Sequence, residues 1–153
     1  MGKTLKKIKK TLKGIGNLSY VEIRHVPMAH DPDYGFGIHS KILGEIEKSV
    51  AQELIVGRYR IRGQEVSFLR SVFALSKRQL AEKLGLSHVA IVKWEKSKNK
   101  PLALVNEVTI KALMSGLLGL KMPASLDNLV GKHDIPKKLV LDYEDDSFTQ
   151  IAA

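Results

Sequence analysis

Apolar positions recur along the chain with more than one rhythm. From Asn17, NLSYVEIRHVPM alternates in part between β-branched or aromatic residues and polar ones, and HDPDYGFG follows, rich in turn formers. This predicts one or two strands and a loop. From Ser40 the rhythm changes. SKILGEIEKSVAQELI puts Ile42, Leu43, Ile46, Val50, Leu54 and Ile55 on one helical face, and Gly57 suits its end. Between Gly63 and Leu120 the signals are helical and closely punctuated, and LVLD near the carboxyl end is a short strand-like run.

The punctuation is most informative after Gly63. Gln64 to Phe73 carries Val66, Phe68, Leu69 and Val72, with Gly63 ahead as a cap. Ser76 opens a second helix with Gln79 three residues on, as a capping box requires, and Leu80, Ala81 and Leu84 form its inner stripe. Gly85 and Leu86 make a tight turn, and Ser87 caps a third helix whose Ile91, Trp94 and Glu95 face inward. Two short helices joined by a turn containing glycine form a helix-turn-helix unit. With that inward face fixed, His88, Val89, Val92 and Lys93 share the outward strip that such units lay in the DNA major groove.

Over residues 62–101 the sequence resembles the Xre/Cro-like repressor domain. The elements that carry the likeness are an Arg in the first helix, Leu-Ser-x-x-x-Leu-Ala in the second, Gly-Leu-Ser, Ile-x-x-Trp-Glu, and a basic loop ending in Pro101. The resemblance implies that Ser87, His88, Val89 and Lys93 occupy groove-facing places, that Lys77 approaches a phosphate, and that Arg70 and Glu95 form a structural ion pair. Three positions depart from the pattern. Lys77 replaces a common Gln, and Val89 and Val92 stand where polar base readers are usual. Valine can touch only thymine methyls or sugar edges, whereas His88 and Lys93 can hydrogen-bond guanine. Lys96, Lys98 and Lys100 would add affinity through phosphates without adding specificity. Trp94 is expected in the core.

A wider likeness, over residues 18–118, is to antitoxins and antitoxin-like regulators of the MqsA/HigA-like type. It rests on Gly63, Glu65, Phe68, Leu69 and Arg70, preceded by a β-rich module and a connecting helix. In the MqsA-type branch the N-terminal module is a zinc finger; this chain has no cysteine, so a zinc-free module is implied. The resemblance further implies an autorepressor that binds a palindromic operator in double-stranded DNA as a homodimer and holds a small basic toxin. The expected fold class is therefore mainly α with a small β-rich N-terminal module (α+β), built around a five-helix, lambda-repressor-like helix-turn-helix domain.

The corresponding divisions are a basic segment 1–17, a strand-plus-helix module 18–57, the helix-turn-helix domain 58–120, and an extension 121–153 with an acidic tail. The first segment carries Lys3, Lys6, Lys7, Lys9, Lys10 and Lys13 without an acid, and Leu5, Ile8, Leu12 and Ile15 recur at helical spacing. It suits either an amphipathic basic helix or a solvated tail. The tail of the chain holds Asp142, Glu144, Asp145 and Asp146. Residues 101–120 read as an unusually apolar helix with Leu104, Val108, Leu113, Leu117, Leu118 and Leu120, which either all serve the core or leave a surplus for a dimer contact.

Composition narrows the alternatives. At 44% hydrophobic residues the chain can build a core, and a net charge of +9 suits a polyanionic partner. No apolar run is long enough to span a bilayer and no secretory signal is evident, so a cytoplasmic protein without membrane attachment is expected. His25, His30, His39, Asp31 and Asp33 cluster near a turn but lack metal-ligand spacing, so no metal or cofactor is expected. Neither a phosphate-binding glycine loop nor a nucleophile motif is present, which points away from an enzyme. Three functions stay open: an operator-binding antitoxin, a stand-alone or phage-type repressor without a toxin, and a protein-interaction module whose helix-turn-helix no longer reads bases.

Overall fold

The computed structural model describes residues 8–143 and 150–151, arranged as a mixed α/β structure with five α-helices and a sheet. Its strands are β1 (Ile8–Ile15), β2 (Leu18–Asp31), β3 (Gly35–Gly37), β4 (Leu139–Asp142) and β5 (Gln150–Ile151). The helices are α1 (Ser40–Val56), α2 (Gly63–Val72), α3 (Lys77–Leu84), α4 (His88–Lys96) and α5 (Leu104–Leu118). The chain forms two compact units, one from residues 1–47 with 136–153 and one from residues 48–135, so that it passes from the first to the second within α1.

In the first unit the strand order is β1-β2-β4-β5, with β3 pairing β2. β1 runs antiparallel to β2, and β4 lies parallel to β2 with Val21 opposite Leu139 and Ile23 opposite Leu141. Neither a basic helix nor a free tail forms over the described part of the N-terminal segment. Residues from Ile8 onward are an edge strand, because β2 offers them a hydrogen-bonded partner that outweighs helical spacing. Lys9, Lys10 and Lys13 stay exposed on it, a usual way of guarding a sheet edge. Leu18, Val21, Ile23, Val26, Leu139 and Leu141 are buried, and Ile46 of α1 is buried in the same unit. β4 contains Asp142, but Glu144, Asp145 and Asp146 of the acidic cluster lie outside the described residues.

The second unit holds the remaining helices and a 3-10 turn at Leu126–Leu129. Its core includes Val50, Leu54, Ile61, Val66, Phe68, Leu69, Leu80, Ile91, Ile110 and Met114. Part of the apolar surplus of α5 stays outside the core. Its buried face is Glu107, Ile110, Lys111, Met114 and Ser115, while Leu104 and Val105 are 48% and 72% exposed and Leu117 is also exposed. The helix has two charged side chains, and both point inward.

Those two charges are fully partnered. Glu107 accepts the Ile61 backbone N–H at 2.7 Å, the Gly131 N–H at 2.8 Å and Arg60 Nε at 3.3 Å. Lys111 Nζ donates to the Tyr59 carbonyl at 2.6 Å and to the Leu129 carbonyl at 3.0 Å, and lies 3.8 Å from the Glu107 carboxylate. Arg58 donates from Nη2 to the Asp127 carbonyl at 2.8 Å. These bonds bind residues 127–131 to the chain following α1, and they give the buried polar groups the partners that burial demands.

Candidate nucleic-acid interface

Four short-range devices hold α3 and α4 in place. At the start of α3, Ser76 Oγ accepts Gln79 N–H at 3.0 Å and Gln79 Oε1 accepts Ser76 N–H at 2.8 Å, completing the reciprocal cap. At its end Gly85 takes φ 68°, in the left-handed region, and Leu86 N–H returns to the Ala81 carbonyl at 2.9 Å. Ser87 Oγ then accepts Ala90 N–H at 3.3 Å, opening α4 two residues after α3's cap. Ile91 is buried and anchors the inner face of α4.

The fourth device ties α4 to α2. Arg70 Nε and Nη2 meet the two Glu95 carboxylate oxygens at 3.0 and 2.9 Å, a bidentate pair, while Nη1 donates to the Leu75 carbonyl at 2.9 Å. The structural ion pair implied by the resemblance is present. At the other end of α2, Gly63 lies against the carboxyl end of α4, where an added Cβ would overlap the Trp94 and Ser97 carbonyl oxygens. The cap of α2 is Arg62 rather than Gly63: Glu65 accepts the Arg62 backbone N–H at 3.0 Å and its guanidinium at 2.8 Å. Gly63 serves a close helix approach instead.

These constraints leave an outward surface on α4. Ser87, His88, Val89 and Lys93 are exposed, Val89 to 59%. Val92 is half-buried, so it belongs only partly to the outward strip. Lys77 is half-buried at the first position of α3; Lys96, Lys98 and Lys100 are exposed in and after the last turn of α4. Arg78, which the motif pattern did not single out, is exposed beside Lys77. The basic pair that follows the Ser76 cap is the signal that could have found it.

Trp94 differs from expectation. It is half-buried rather than sealed in the core, and it lines a concavity of about 410 Å³ together with Lys93, Lys100, Pro101, Leu102 and Ala103. Trp94 shares that lining with Leu102, which is itself buried.

The histidines near the β2–β3 turn do not act together. His25, at φ 58° in β2, places Nδ1 2.8 Å from an Asp142 carboxylate oxygen; His30 packs edge-on against Phe36; His39 Nδ1 accepts Lys41 N–H at 3.1 Å. Asp31 is engaged in its own turn, accepting the Asp33 and Tyr34 N–H groups. Among the described residues, no group of three or more potential metal ligands converges, and no helix is long and apolar enough to cross a membrane. Scans of the chain against protein-family models, curated proteins and solved structures found no match.

Proposed function

We propose that this protein is a sequence-specific DNA-binding transcriptional repressor of the Xre/Cro-like helix-turn-helix kind. In this reading it acts as a two-fold dimer on a palindromic operator and serves as the antitoxin of a type II toxin–antitoxin module. One observation carries the DNA-binding part. α4 is locked from behind by Ile91 and the Arg70–Glu95 pair, while Ser87, His88, Val89 and Lys93 stay exposed at its front. Around that strip stand Lys77, Arg78, Lys96, Lys98 and Lys100, a distribution suited to phosphates flanking a groove. Few of the outward residues can hydrogen-bond a base, so specificity is assigned to two half-sites read by two copies. The toxin partner, a small basic protein, follows from the resemblance over residues 18–118. No cofactor, metal or catalytic step is needed.

Titration of the protein on its own promoter and on scrambled duplex, at two salt concentrations, tests the DNA reading. The promoter should bind more tightly at both salts. Replacing Lys93 by Ala should then cost about 1–3 kcal/mol on the promoter, if it reads a base. Equal losses on both duplexes would reduce it to a phosphate contact. Recovery of tagged protein from its native host, with a small basic protein encoded next to its gene, supports the antitoxin role. Its absence with operator binding intact leaves a stand-alone repressor. Val89, apolar and 59% exposed, favours a second reading as a protein-interaction module. Equal affinity for every duplex would support that one.

A further inference from the structure

The concavity beside α4 is chemically two-sided. Trp94, Pro101, Leu102 and Ala103 give it an apolar surface, and Lys93, Lys100 and Ser97 complete the lining; among the described residues no Asp or Glu belongs to it. Its volume of about 410 Å³ lies in the range occupied by small-molecule sites.

A helix carboxyl end ordinarily repels anions. Here that end is turned toward α2: the Lys98 carbonyl accepts Gln64 N–H at 3.2 Å, and the Trp94 and Ser97 carbonyls crowd Gly63. The Trp94, Ser97 and Lys98 carbonyls thus face the amino-terminal end of α2, and the lysines are the charged residues of the lining.

We propose that this concavity binds a small organic anion, a carboxylate on an apolar ring- or chain-sized body, and that its occupancy weakens DNA binding by engaging Lys93. The second half rests on the DNA-binding reading above; the first does not. Charge complementarity selects an anion. The apolar lining selects one with a hydrocarbon body, because a bare phosphate gains nothing from Trp94 or Leu102 and loses hydration. Lys93 belongs both to this lining and to the outward strip of α4, so an anion held there competes for the same charge that DNA uses.

The chain has a single tryptophan, so its emission reports directly on the concavity. The full chain is titrated at constant ionic strength with phenylacetate and hexanoate, with the uncharged phenylacetamide and hexanamide, and with inorganic phosphate. A saturable change in Trp94 emission is expected for at least one carboxylate, with a midpoint about tenfold lower than for its amide. Lys100→Met should raise that carboxylate midpoint about tenfold while leaving the circular dichroism unchanged. The proposal is overturned by a flat response to both carboxylates, or by equal midpoints for carboxylate, amide and phosphate.

In a second arm the effective carboxylate is added to protein on its promoter duplex, and release should follow the fluorescence midpoint. Fluorescence binding without any duplex binding leaves the anion site standing and removes the DNA reading. Duplex binding unmoved by a saturating carboxylate overturns the coupling through Lys93.

Discussion

Lys111 is a buried ammonium with no exposed surface. Burial pushes its ammonium from 10.5 down to about 8, against the partly offsetting attraction of Glu107 and alongside repulsion from Arg58 and Arg60. Between those two values the unfolded chain holds a proton that the native chain has released. Native stability therefore rises with pH across that window, and below it the cost of burying the charge is fully present. The contribution is on the order of 3 kcal/mol between neutral pH and the unfolded value. Denaturant unfolding of wild type and Lys111→Met, compared at about pH 7 and about pH 10, should show the steeper gain in wild type. Parallel pH dependences would refute it. Arg70 gives a second expectation at this scale. Arg70→Ala leaves the largely buried Glu95 carboxylate without its bidentate partner and should cost about 3 kcal/mol. A loss below about 1 kcal/mol would place the pair among surface ion pairs of little worth.

In α2 the apolar residues and the Arg70–Glu95 tie were legible, whereas the cap, expected at Gly63, lies at Arg62. Gly63 allows the close approach to α4, Glu65 caps the helix at Arg62, Phe68 and Leu69 fill the core, and Arg70 ties the helix to Glu95. Gly63→Ala should cost about 3 kcal/mol, because its Cβ meets backbone carbonyls that cannot swing aside. A melting temperature equal to wild type would show that α2 and α4 have room to separate. The Ser76 and Ser87 caps were legible for a simple reason: a cap is decided within four residues. β1 and α5 were not legible. β1 is a strand because a partner lies beside it, which no local spacing records. In α5 the ordinary rule is inverted, since Glu107 and Lys111 find backbone partners inside while valine and leucine stay outside. Trp94 falls between these cases: its direction was legible, its covering was not.

For the molecule as a whole, the excess of +9 is spread over both units. The first carries exposed lysines on β1 and at Lys137 and Lys138, the second around α3 and α4. In the DNA-binding reading proposed above, attraction to the polyanion would therefore draw on more of the chain than the outward strip, and sequence preference would come from geometry. If the protein is the two-fold dimer proposed above, the outward side of α5, with Val105 72% exposed and neither of the helix's charges on it, is the surface expected to meet the second copy. Val105→Glu should leave the circular dichroism intact, convert the protein to monomer in sedimentation, and weaken promoter binding by roughly tenfold or more. Unchanged mass and affinity would move the dimer contact elsewhere.

The parallel pairing of β2 with β4 has a consequence for biosynthesis. Val21 leaves the ribosome long before Leu139, its register partner, exists. Residues 48–135 are all synthesised in between, and their contacts form a compact unit of their own. Co-translational folding would therefore start in residues 48–135, with β2 waiting beside β1 and one edge uncovered until residues 139–142 emerge. Nascent chains stalled before β4 should protect the helical unit from protease while leaving β2 open to cleavage. Equal protection of both would mean that the sheet does not need its final parallel strand.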